Sequence, residues 1–130
     1  MAHLPEYYFR VRENGAAVFR VDTENSQRRI ELDQIAVINI KNGEVKSVGD
    51  ASLSPADKEA ISRWTEERRA LLARRDIDDI LRTVDHLNLT TQWAQSRATD
   101  AELAAVTDTL LLAMHDLRGV LVRKKASRIS

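Results

Sequence analysis

The chain has 130 residues, with 20 basic and 20 acidic side chains, so its formal net charge is zero. That length suits one domain with a real core, and the balanced charge draws the whole molecule toward neither nucleic acid nor an anionic membrane. Cysteine is absent, which excludes disulfides, thiolate catalysis and Cys-ligated metals.

The start, Met1-Ala2-His3-Leu4-Pro5-Glu6, lacks the basic and apolar segments of a secretion signal. The longest apolar run of the helical half, Leu110 to Met114, is far short of a membrane span. A cytoplasmic protein with no membrane partner is expected. Arginine outnumbers lysine 15 to 5 beside many alanines. That bias reads as a codon preference more readily than as a design for phosphate recognition.

The hydrophobic period changes once, near Ser54. The fold class expected is α+β in a single domain over 1–130. An N-terminal antiparallel β-meander of four or five short strands fills 1–53, and three α-helices fill 54–130. In the first half Tyr7, Phe9 and Val11 alternate with Tyr8, Arg10 and Arg12, and Ala17, Phe19 and Val21 alternate with Val18, Arg20 and Asp22. A three-residue loop, Glu13-Asn14-Gly15, pairs Phe9 with Phe19 and keeps one face apolar, with Gly15 in the left-handed position of a bulged turn. The polar stretch from Asp22 to Gln27 reads as a longer turn. Ile30 and Leu32 then share one side of a strand, and the apolar run Ile35 to Ile40 reads as central in the sheet or covered on both faces. At Asn42-Gly43 a two-residue turn pairs Lys41 with Glu44 and Ile40 with Val45. A curled meander and a small barrel fit this pattern equally.

Helix-start signals follow. Ser54-Pro55-Ala56-Asp57 supplies a cap, a first-turn proline and an acid three residues after the cap. Ala60, Ile61, Trp64, Leu71 and Leu72 mark the first helix's buried face. The charge reversal at Arg74-Arg75-Asp76 suggests a break, since basic residues suit a helix C-terminus and Asp76, Asp78 and Asp79 a new N-terminus. The second helix carries Ile77, Ile80, Leu81, Val84 and Leu87. Thr99-Asp100-Ala101-Glu102 fits a capping box for the third. Leu103, Val106, Leu110, Ala113, Leu117 and Val120 then form one stripe, widened by Leu111, Met114 and Leu121. Gly119 is a possible stopping point.

No catalytic constellation emerges. His86 and His115 each neighbour an aspartate, but sequence neighbours diverge around a helix. No metal-binding, nucleotide-binding or nucleophile motif is present. No cofactor is therefore expected, and an enzyme built from His86, His115 and nearby acids is the weakest alternative.

The leading expectation is a non-enzymatic protein–protein interaction or regulatory module. It forms a homodimer through its helical half, with Trp93, Leu111, Met114 and Leu121 at the interface. The alternative is a small nucleic-acid-binding regulator. It would use Tyr8, Arg10, Arg12 and Arg20 on one strand face for stacking and phosphate contact, or Arg123, Lys124 and Lys125 in a tail without acids. Against it, residues 1–53 hold seven basic and eight acidic side chains. Basic residues also suit a helix C-terminus.

Overall fold

The computed structural model describes residues 4–24, 29–49 and 52–129. Four strands and two helices follow one another: β1 (Tyr7–Arg12), β2 (Gly15–Asp22), β3 (Glu31–Asn39), β4 (Val45–Ser47), α1 (Pro55–Ser96) and α2 (Asp100–Ile129). The strands form one antiparallel sheet in the order β1-β2-β3-β4, so the α+β meander is present as expected. Among the described residues β1 and β4 are both edges, which makes the sheet open and not a barrel. The chain divides into two compact units, 1–77 and 78–130.

The first hairpin differs from its expected register. Arg12 lies opposite Gly15, leaving a two-residue loop, Glu13-Asn14, and Phe9 pairs with Val18 rather than Phe19. Tyr7, Phe9, Val18 and Arg20 therefore share the inner face, while Phe19 turns outward with Tyr8. The outward Phe19 is still buried, because Arg10 covers its ring at 4.5 Å and Tyr8 packs beside it. The rule that no charge joins the apolar face fails because Arg20 has a buried partner on α1.

Gly15 does have positive φ, 156°, but it lies in a strand and not in a bulged loop. Its role is close approach: a Cβ there would stand 1.9 Å from the Ile38 carbonyl oxygen.

The last hairpin is shifted by two residues. Val45 pairs with Ile38, and the Asn39 N–H donates to the Glu44 carbonyl at 2.8 Å. The loop is thus Ile40 to Gly43 instead of Asn42-Gly43 alone. Asn39 explains the longer loop, since its Oδ1 accepts from the Lys41 and Asn42 amides at 3.0 and 3.3 Å. A shift of two preserves the face of Val45. In β3 a register shift opposite Val18 and Phe19 makes Ile35 an extra residue. Ile35 and Ala36 are both fully buried as a result, although strict alternation would have exposed one.

The core of the first unit is Val18, Ile35, Ala36, Ile38 and Ile61, flanked by Tyr7, Phe9, Leu53 and Trp64. Phe9 and Trp64 stack with ring centroids 5.0 Å apart. The reciprocal cap forms as expected: the Asp57 amide donates to Ser54 Oγ at 3.1 Å, and the Ser54 amide to Asp57 Oδ2 at 2.9 Å.

The helices number two, not three, because α1 continues through Arg74-Arg75-Asp76. No glycine or proline interrupts that stretch, and its alanine, leucine and arginine residues all favour helix. The second break is where it was expected. The Thr99 amide donates to Glu102 Oε1 at 2.9 Å, and the Glu102 amide to Thr99 Oγ1 at 3.2 Å. Gly119 does not end α2, whose surrounding Leu, Arg and Lys residues outweigh one glycine.

Candidate interaction surfaces

The two units differ in what they bury. In the first, one ionisable group among the described residues is enclosed: Asp57, 1% exposed. Its carboxylate accepts from Tyr7 Oη at 2.6 Å, from Arg20 Nε at 3.3 Å, from Arg20 Nη2 and from the Ser54 amide. A carboxylate offers about four acceptor sites, so Asp57 has none left for a ligand. Arg20, assisted by Tyr7 and Ser54, holds its carboxyl well below the usual carboxylate range despite burial. The same bond, with burial, pushes the Tyr7 phenol up to about 12. This constellation joins β1 and β2 to α1.

It also removes Arg20 from the sheet's outer face. Tyr8, Arg10 and Arg12 do stand together there and are exposed, with the Arg10 guanidinium 5.6 Å from the Tyr8 ring. Arg20 points the other way into Asp57, so the structure does not bring the four together. The partnership of Arg20 and Asp57, 37 residues apart, has no local pattern in the sequence. The available signal was an inward arginine at a two-residue hairpin, which demands a buried acid.

In the second unit none of the described side chains is buried. The two helices meet near their turn, where Thr90, Trp93, Leu103, Val106 and Leu110 are half-covered. They enclose an open groove of about 310 Å³ with Leu87, Leu111 and Met114 on its rim. Leu111, Met114 and Leu121 are 59%, 51% and 58% exposed. Ile80, Leu81, Val84, Leu89, Leu112, Leu117 and Val120 are exposed as well. Thus Trp93, Leu111 and Met114 converge on one groove, while Leu121 lies further along α2 on the same uncovered helix. Arg123, Lys124 and Lys125 are exposed near the end of α2.

His86 and His115 are exposed, and among the described residues no three His, Asp or Glu side chains are placed to hold a metal. No helix of the described residues is long and apolar enough to cross a membrane. Comparison with protein-family models, with curated proteins and with solved structures finds no match for the chain.

Proposed function

We propose that the protein is a non-enzymatic interaction or regulatory module of the cytoplasm that works as a homodimer, with its helical unit supplying the seam. The observation that carries this reading is an apolar helical hairpin without a core. Helices in proteins gain most of their stability by burying an apolar face, and a soluble monomer rarely exposes so large a contiguous patch. A second copy covers like with like through an isologous contact.

Charge supports the same partner. Residues 78–116 hold seven acids and two bases, whereas 118–128 hold five bases and no acid. Pairing α2 antiparallel with its copy about Met114 sets Arg123 to Arg128 beside the partner's acidic first turn, where Asp100 and Glu102 stand in this chain. The basic end of the helix thereby gains a protein partner without any nucleic acid.

Sedimentation equilibrium tests this. The full chain is expected at about twice 14.7 kDa or more. Leu111→Glu or Met114→Glu is expected to break the helical seam and lower the mass, since burying a charge in an apolar seam costs several kcal/mol. A wild-type monomer at about 0.1 mM, well above a micromolar Kd, would overturn the reading. Truncation after Val122 should weaken the dimer and leave heparin retention unchanged. Loss of heparin retention instead would favour the nucleic-acid alternative built on Arg123, Lys124 and Lys125.

A further inference from the structure

We propose that β1 is a second self-association surface, on which the strand pairs antiparallel with β1 of another copy about a two-fold axis at Phe9. The surface lies within residues 4–12 and does not depend on the helical seam.

Hydrogen-bond parity places the free groups. The Val21 amide donates to the Glu6 carbonyl at 2.9 Å, so Glu6 and Val21 form a hydrogen-bonded pair of the ladder. Alternation then directs the backbone groups of Tyr8, Arg10 and Arg12 toward β2 as well. Those of Tyr7, Phe9 and Val11 point away from the sheet, along an edge that no other strand covers among the described residues. Apart from the charges of Arg10 and Arg12, the usual protections of an edge are missing. β1 has no proline, no bulge and no lysine, and its inner face is Tyr7, Phe9 and Val11. The opposite edge, β4, is three residues long and offers little to pair with.

The occupant follows from self-complementarity. An axis at Phe9 pairs Phe9 with Phe9, Tyr7 with Val11, Tyr8 with Arg10 and Glu6 with Arg12. Every outward-facing amide and carbonyl then falls in a hydrogen-bonded pair. The inner-face pairs are apolar throughout. On the outer face, Tyr8 with Arg10 is a cation–π pair and Glu6 with Arg12 an ion pair, each present twice by symmetry. Neither Glu6 nor Arg12 has an ion-pair partner within the chain among the described residues.

Neighbouring registers fit less well. An axis at Arg10 sets Arg10 against Arg10, like charges directly opposed. An axis at Tyr8 sets Val11 against Pro5, which has no N–H to give.

Cross-linking in the full chain tests the register, since the chain has no cysteine of its own. Tyr8 and Arg10 face each other in a non-hydrogen-bonded pair, where Cα atoms stand roughly 4.5 Å apart, within disulfide range. Tyr8→Cys mixed with Arg10→Cys should yield a disulfide-linked dimer on mild oxidation. Either variant alone should yield several-fold less. Equal yields in the mixture and in the separate variants would overturn the proposal, as would a foreign extended peptide being the sole occupant of the edge.

A charge swap provides the second arm. Glu6→Arg or Arg12→Glu should weaken the edge contact by roughly tenfold, and the two together should restore it. A double variant as weak as the singles would overturn it. Val11→Pro removes an edge-facing N–H that β2 does not use, so it should abolish cross-linking while amide exchange still shows the β1–β2 ladder. All arms are repeated with Leu111→Glu present. Edge cross-linking should persist there, so failure of the helical seam and failure of the edge are read separately.

Discussion

Residues 1–77 and 78–130 solve the same problem in opposite ways. The first unit covers its apolar strand face with its own helix and anchors that contact with a fully bonded carboxylate, Asp57. The second lines two helices with large apolar side chains and buries none of those described. Stability in the first is a property of one chain. In the second, on our reading, it is shared between copies and depends on concentration. Apolar periodicity alone therefore says that a face will be covered, and not by what.

The sharpest way to break this contrast is at Asp57. Asp57→Ala leaves Arg20 and the Tyr7 hydroxyl without their partner and should destabilise the first unit by about 3 kcal/mol. Amide exchange should rise in β1 and β2, with less change in α2. Equal protection in the sheet before and after substitution would show that the carboxylate is not its anchor.

Gly15→Ala should cost roughly 2 kcal/mol or more in urea denaturation, because its methyl group would collide with the β3 backbone at Ile38. It should leave the mass of the assembled protein unchanged, which keeps sheet and seam separate.

The pH dependence sharpens the same comparison. The folded-state pKa of Asp57 is depressed, so its contribution is present above the ordinary carboxylate range and is lost as pH falls below it. The Tyr7 pKa is raised from 10.0 to about 12, so its contribution is complete below pH 10 and is lost as pH climbs toward 12. Both losses belong to the first unit. They should be absent in Asp57→Asn and, at the alkaline end, in Tyr7→Phe, measured as urea midpoints across pH.

The smallest effect is expected at the second helix cap. Thr99→Ala removes the acceptor of the Glu102 amide in an exposed capping box and should cost about 1 kcal/mol. Because α2 forms the seam on our reading, that loss should appear as weaker dimerisation, measured by dilution in far-ultraviolet circular dichroism, with the sheet unaffected.

The parts of the fold legible in the sequence were those with local causes. Ser54 and Thr99 cap their helices because each cap and its acid are three residues apart. The strand-to-helix switch was visible because the hydrophobic period is itself local. Both hairpin registers were misread for a common reason. An Asn-Gly pair points to a turn at that place, and an apolar inner face selects the pairing around it. Arg20 belongs on that face once Asp57 waits for it, and Asn39 organises a longer loop than Asn42-Gly43 requires. The charge reversal at Arg74-Arg75-Asp76 points to two helix ends, but nothing in that stretch interrupts the helix, and α1 runs through it. Of the candidate site, Leu111 and Met114 are exposed in the single chain, and their place in a seam belongs to the proposal above. The β1 edge was not legible at all, since which amides face outward depends on the hairpin register.

By itself the sequence determined the class of each element, the two capped helix starts and the surplus of apolar surface along α2. These follow from spacing within one segment, where neighbours three or four residues apart share a face whatever the rest of the chain does. Only the tertiary structure decided the strand registers, the burial of Asp57 between Tyr7 and Arg20, and which unit keeps a core of its own. Those outcomes turn on groups up to 50 residues apart finding one another, as Tyr7 and Asp57 do. No local period encodes such a meeting, because its stabilisation exists only once both partners have left water together.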